Sequence, residues 1–495
     1  MASIPIQALH FRSPRPSSPR KRGPRACAAI LPLDPRFRGG DETVKAAPRR
    51  PWHRLLPLVA AFVLVALPAR AVTIDRVVSP GGIEAWLVQD HTLPIVTLEL
   101  SFRGGAATDP AGKSGLATMT AALLDEGAGT LDSQAYQGRE EDLASSIHFS
   151  AGADYVSGGV TTIRKNLPAA FELLRLALNE PRFDADAVAR IRGDVIAETA
   201  RRLENPNAIA SRVWWRNAFA DNPYARPTDG TASDLAAIAE ADLRQFVRDR
   251  FARDVLKIAV VGDIAPDELK ALLDQTFGAL PRQAAPAALP EVTVRNGGVL
   301  LLVKKPIPQS VAVFGQPGIK RDDPDWYAAT IDNYILGGGG FASRLMSEIR
   351  EKRGLAYGVS SYLIPLLHSG VVYGTVATQN DRVAESIALI RQQWQRMRDE
   401  GPTAEEIADA KTYLTGSFAL QFGSTGSIAG IVLQLQQDGL GIDYLDRRNA
   451  LLDGVTLEDA RRVARRLYDP AALAFAVVGT PTKLTPTREV TASGL

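Results

Sequence analysis

Cysteine is almost absent from this 495-residue sequence: the only one is Cys27, near the amino terminus. Disulfide frameworks, thiolate metal sites and thiol nucleophiles are thereby excluded from everything downstream of it. Histidine is scarce too, with five in the chain, and beyond residue 71 only His91, His148 and His368 remain. No two of these three stand one helical turn apart, so each reads first as a loop or core histidine rather than a metal ligand. A long transmembrane run is also missing, because the apolar stretch at 55–68 is too short to cross a bilayer comfortably.

A basic excess is missing where it would matter. Residues 1–71 hold 13 Lys/Arg against 3 Asp/Glu, which leaves 44 basic and 52 acidic residues beyond, a net −8. An acidic body without a basic stripe cannot release counterions from a phosphate backbone, so nucleic-acid binding is set aside. Residues 1–50 are rich in Arg, Pro and Gly and are expected to be disordered, or to precede the true start, with translation beginning near Val44. Next come Arg49, Arg50 and Arg54, the apolar run, and the small-residue site Ala69-Arg70-Ala71, the layout of a signal peptide at 51–71. The expected location is periplasmic or secreted, with no stable membrane span after cleavage; an uncleaved anchor is the alternative.

The remaining length calls for two domains. Alternation and periodicity predict strands at 85–88, 95–102, 155–162 and 256–261, and helices at 114–125, 168–179, 185–202 and 242–251. The second half repeats this order with strands at 298–303, 310–316 and 370–378 and helices at 326–336, 383–400 and 404–418. Asp242 followed by Ala259-Val260-Val261-Gly262 recurs as Asp459 followed by Ala476-Val477-Val478-Gly479, displaced by the same 217 positions. Two matches at one offset indicate duplication. The fold class is therefore α+β, with one domain over 73–280, a Pro/Ala linker over 281–292 and a second domain over 293–485. Each domain should be a sheet covered by helices on one face, and the two should face each other as a clamshell around an internal chamber.

One loop invites a phosphate-binding reading, since 103–115 reads RGGAATDPAGKSG between a strand and a helix. The spacing fails, because Ala107 stands where the first glycine is required and Asp109 would repel an anion.

Residues 336–357, LGGGGFASRLMSEIREKRGLAY, carry a stronger signal. This segment resembles the carboxy-terminal domain pattern of the pitrilysin/insulinase/mitochondrial-processing-peptidase family, inverzincin metallopeptidases built from two α/β-roll domains. Asn222-Pro223-Tyr224-Ala225-Arg226-Pro227 with Gly230-Thr231 is similar to a turn of the same family, with Asn222 in place of its usual histidine. Gly115-Leu116-Ala117-Thr118-Met119-Thr120-Ala121-Ala122-Leu123-Leu124 resembles the family's zinc helix, G-L-A-H-x-x-E-H-x-L. There the resemblance implies two histidine ligands and a glutamate base, and here Thr118, Ala121 and Ala122 stand instead. The family's third ligand, a glutamate, corresponds to Glu198. One carboxylate cannot hold zinc, so no cofactor is expected on this chain, and Glu198 reads as a solvated or salt-bridged helix residue.

The resemblance implies further that Arg350 and Tyr357 reach a cleavage centre, where a guanidinium and a phenol could hold the scissile carbonyl. The plainer alternative makes Arg350 a helix-surface residue and Tyr357 the start of a strand. Gly337, Gly338, Gly339 and Gly340 are either a substrate-capturing loop, as the family implies, or a helix cap and turn. Peptides would add as a strand to an exposed sheet edge. The implied function is that of an accessory subunit, active only with a homologous H-x-x-E-H partner that supplies zinc, and acting on peptides. A non-enzymatic peptide-binding or structural scaffold within a larger complex is the alternative.

Overall fold

The computed structural model of the protein describes residues 72–295 and 297–491. The expected leader at 1–50, the start near Val44 and the signal peptide at 51–71 lie outside the described residues. Among the described residues no helix is long and apolar enough to cross a membrane.

The first half runs β1 (Asp75–Val78), β2 (Glu84–Gln89), β3 (Ile95–Arg103), α1 (Leu116–Ala121), a short hairpin of β4 (Gly127–Ala128) and β5 (Leu131–Asp132), then α2 (Ser133–Asp142). It continues through β6 (Ser146–Ala151), β7 (Tyr155–Ile163), α3 (Leu167–Asn179), α4 (Ala185–Arg202), α5 (Pro206–Phe219), α6 (Ala232–Ala237), α7 (Glu240–Arg250), β8 (Leu256–Gly262) and α8 (Pro266–Phe277). The second half runs β9 (Leu300–Lys304), β10 (Gln309–Pro317), α9 (Trp326–Asn333), β11 (Ala356–Leu366), β12 (Ser369–Gln379), α10 (Val383–Glu400) and α11 (Ala404–Gly416). It ends with α12 (Thr425–Gln437), α13 (Tyr444–Asp453), α14 (Leu457–Leu467), β13 (Ala474–Gly479) and β14 (Arg488–Glu489). The predicted helix at 114–125 is shorter than its apolar pattern, since regular α-helix ends at Ala121 and hydrogen-bonded turns follow it.

The duplication read from the sequence is a duplication of topology. One six-stranded sheet has the order β1-β2-β8-β3-β7-β6, and the other, taken from its β14 edge, has β14-β9-β13-β10-β12-β11. Position by position, β8 and β13 lie parallel to the neighbour before them, β2 and β9, and antiparallel to the neighbour after them, β3 and β10. Gly262 and Gly479 end these strands at φ 137° and 153°. A Cβ would collide with the Ile95 carbonyl at the first and with Ser310 at the second, so both repeats need glycine there. Asp242 and Asp459 are equivalent too, each accepting a hydrogen bond from a main-chain N–H three residues earlier, at 2.8 Å from Ala239 and 3.1 Å from Thr456.

The halves exchange a helix. α5, from the first half, packs on β9, β10 and β13 of the second sheet; α12, from the second half, packs on β2, β3 and β8 of the first. Side chains on the second sheet alternate accordingly: Ala312 and Phe314 face the second half's own helices, while Val311 and Val313 face Ile209, Val213 and Trp214 of α5. Strands buried on both faces carry near-continuous apolar runs, which is why LLLV and VAVF occur here. The halves close on each other, and these two helices occupy part of the space between the sheets. Helices accordingly cover part of the second face of each sheet as well, where one covered face was expected.

Several polar groups at this junction are paired. Trp214 Nε1 donates to the Ala474 carbonyl at 3.2 Å, Gln436 Nε2 to the Ile258 carbonyl at 2.8 Å, and Tyr155 to the Gln437 carbonyl at 3.1 Å. Tyr224 donates to Asp154 at 2.6 Å, and the same carboxylate accepts the Leu367 N–H at 3.0 Å from the tip of the β11–β12 hairpin. Burial pushes the Asp154 carboxyl above the usual range, against the opposing pull of those two hydrogen bonds.

Replacing Trp214 with Ala is expected to cost about 3–5 kcal/mol and to separate the unfolding of the two halves. Urea denaturation followed by circular dichroism checks this, and one transition at the wild-type midpoint would count against the coupling. Tyr224→Phe is expected to cost about 1–3 kcal/mol at neutral pH, because a buried acceptor loses its donor. Asp154 has a raised folded pKa, so its contribution is fullest below the unfolded value and falls as pH rises through the folded one. The Tyr224→Phe deficit should therefore shrink below about pH 4, where the carboxyl is protonated in both states; a pH series of denaturation midpoints measures it.

Candidate functional site

At the helix that resembles the zinc helix, the chain is tied down by its own groups. Gly115 begins α1 at φ 91°, and the buried Asp109 caps it, accepting the Gly115 N–H at 2.9 Å and the Ala117 N–H at 3.0 Å. Burial raises the Asp109 carboxyl to about 7 although those N–H groups favour its charge. Thr118 donates its hydroxyl to the Thr228 carbonyl at 2.7 Å. Ala121 is buried in the first half's core, and Ala122 packs against it. Glu198, on α4, pairs with Arg201 at 2.8 Å and Arg202 at 3.4 Å, while Asp229 takes Arg202 at 3.5 Å and Arg212 at 2.9 Å. Methyl groups, a hydroxyl already engaged and a carboxylate held by two guanidinium groups do not fit a zinc ion.

The three histidines are dispersed. His91 pairs with Asp263 at 2.6 Å, His148 with Glu99 at 3.3 Å and His368 with Glu291 at 3.3 Å. Among the described residues no group of three His, Cys, Asp or Glu is placed to hold a metal ion. The glycine-lysine-serine sequence before α1 is likewise committed, since Lys113 is paired with Asp242 and Ser114 donates to Asp234.

In the second half the motif residues converge. Two π-helical turns, Tyr334–Gly338 and Met346–Glu351, flank the glycine run; such turns recur at functional sites. Gly337 is required by packing, because a Cβ would come within 2.5 Å of Ser361 Oγ and 2.8 Å of Leu345. Gly338 ends the first π turn, Gly339 donates its N–H to the Tyr334 carbonyl at 2.8 Å, and Gly340 turns the chain at φ 57°. Arg344 anchors the segment from beneath, buried and bidentate to Glu406 at 2.7 and 2.6 Å.

Arg350 lies on the second π turn and Tyr357 at the start of β11. The structure brings them together: the Arg350 guanidinium carbon is 4.6 Å from the centre of the Tyr357 ring and 4.5 Å from that of Phe341. Tyr357 is 86 % exposed and Phe341 63 %. A β-bulge aims Tyr357: Ala356 pairs with Thr378 and Val359 with Val376, so Tyr357 and Gly358 together oppose one residue. Sequence reasoning named Arg350 and Tyr357 but missed Phe341. The available signal was an aromatic residue directly after four glycines, where a buried side chain has no core to enter.

Residues 237–414 match the family model described as Peptidase M16 inactive domain. The chain is 24% identical over 426 residues to the non-peptidase homolog YmxG of Helicobacter pylori, covering 85% of this chain and 97% of that protein. It is 25% identical over 402 residues to an uncharacterized zinc protease of Streptomyces coelicolor, covering 79% and 87%. The crystal structure of a peptidase M16 inactive domain from Pseudomonas fluorescens matches with a TM-score of 0.78 at 28% identity, over 84% of this chain and 100% of that one. The duplicated topology and these matches together make the chain similar to the M16 zinc peptidases, with residues 237–414 matching the model named for their inactive domain.

Proposed function

We propose that the chain is the accessory subunit of a two-subunit zinc metallopeptidase, exported to the periplasm or secreted, in which a separate H-x-x-E-H homologue holds the metal. The observation that carries this reading is the pairing of Arg350 with Tyr357 on an exposed surface. Neither residue is needed to close the second half's core, which contains neither side chain. Export is supported only by the charged, apolar and small-residue leader at 49–71.

In this reading the two side chains supply hydrogen-bond donors to a peptide that lies between subunits. The guanidinium offers a fixed fork of N–H groups and the phenol one O–H, and both can meet the oxygen of the scissile carbonyl as negative charge develops on it. Docking of the partner would exclude water, which strengthens such interactions in the lower dielectric. The bond-breaking water and the metal belong to the partner. Substrate main chain would be held by strand addition, for which the edge strands β6 and β11 are the natural candidates, Tyr357 standing at the start of the second.

A scaffold role is the competing reading, favoured by the salt-linked groups around Glu198 and Asp229 that fill the place of a metal site. The two readings separate in one assay, in which the chain is mixed with an H-x-x-E-H homologue from the same organism and a quenched peptide is followed. Arg350→Ala is expected to lower kcat by roughly 100-fold or more, as loss of an oxyanion donor does, and Tyr357→Phe by a smaller factor. Unchanged turnover in both variants would leave the scaffold. Zinc binding and cleavage by the lone chain, read by metal analysis and the same peptide, would defeat both.

A further inference from the structure

The segment from Arg344 to Arg353 carries four cations, and three of them have carboxylate partners. Arg344 is bound to Glu406, while Lys352 and Arg353 both pair with Glu348, at 2.5 and 2.6 Å. Arg350 is the exception. Its neighbours are rings, Phe341 at 4.5 Å and Tyr357 at 4.6 Å, and the acidic Glu348 of the same turn is already taken twice, by Lys352 and Arg353.

A guanidinium packed on rings differs chemically from one paired to a carboxylate. The rings engage its face through their π clouds, while its N–H donors lie in the plane and stay available. Phe341 is set for this contact by its own turn. Gly340, at φ 57°, launches a short 3-10 turn, and Ser343 locks it by donating both its N–H, at 3.0 Å, and its hydroxyl, at 2.7 Å, to the Gly340 carbonyl. A phenylalanine left 63 % exposed contributes little to the core, so its fixed placement against Arg350 calls for a different account.

We propose that Phe341 is a positioning residue for Arg350: its ring holds the guanidinium beside Tyr357 with the donor edge free, so that a peptide carbonyl oxygen meets a pre-aimed fork. The use of that fork in hydrolysis rests on the accessory-subunit reading; the placement of Arg350 by Phe341 does not.

Two readouts test it. In the chain alone, labelled with ¹⁵N-arginine and assigned by Arg350→Lys, the Arg350 Nε–H resonance is expected upfield of the other arginines because of ring currents. It should move downfield in Phe341→Leu and stay in place in Phe341→Tyr, which keeps the aromatic face. In the mixture with the zinc-bearing homologue, Phe341→Leu should lower kcat roughly fivefold, the rate equivalent of one exposed cation–π contact, with KM little changed. Phe341→Tyr should restore turnover, and Phe341→Leu should add nothing to Arg350→Ala. An Arg350 resonance that ignores Phe341→Leu, or an equal further loss on the Arg350→Ala background, overturns the proposal. Should Arg350→Ala itself leave turnover intact, the accessory-subunit reading falls, and the resonance still decides whether Phe341 places Arg350.

Discussion

Packing of α5 against β9, β10 and β13, and of α12 against β2, β3 and β8, closes two sheet faces that neither half could close from its own neighbouring sequence. Each sheet has its own helices on one side, and without the exchange the other side would expose a broad apolar surface. The large side chains Trp214, Phe219 and Val213 lie within the cluster that joins the halves, so the junction is as much a core as either half's interior. The exchange also explains why the linker can be poor in regular structure: the halves are held by helices and by the Asp154–Tyr224–Leu367 contact rather than by the connection between them.

On that frame the two ends of the molecule's chemistry have gone different ways. Around α1 the polar groups are satisfied internally: Thr118 on a carbonyl, Glu198 on Arg201 and Arg202, Asp229 on Arg202 and Arg212. Around Arg350 the local geometry is costly and specific, with two π turns, a left-handed glycine and a bulge. Departures from ideal helix and ladder persist where something over-determines them. Here Arg344, Ser343 and the tight fit at Gly337 do so.

Much of this was legible in the residues. α4 and α10 were predicted at 185–202 and 383–400, the bounds observed, because each has a long amphipathic stripe. The inner strands showed as short apolar runs, whereas the edge strands β1, β6, β11 and β14, more polar or half-buried, were not predicted. α5 and α12 were missed for physical reasons. The first reads PNAIASRVWWRNAF, apolar on more than one side since it is wedged between sheet and loop, and the second contains Gly426 and Gly430, which lower helix propensity. Because both were missed, the exchange was missed. At the site, the motif supplied Arg350 and Tyr357, but nothing in the spacing places Phe341 against Arg350, since the contact depends on the Gly340 turn and a π turn that lengthens the path between them.

The helix exchange also orders events in time. By Gly262 the ribosome has delivered every strand of the first sheet, yet α12 begins only at Thr425, some 163 residues later. Until then the nascent first half must wait with a greasy flank open, and α5, which meets β9 and β10 by Pro317, still lacks β13. Such long-range closure is slow and invites self-association, so this chain's demand for a holding chaperone should be greatest during synthesis of its second half.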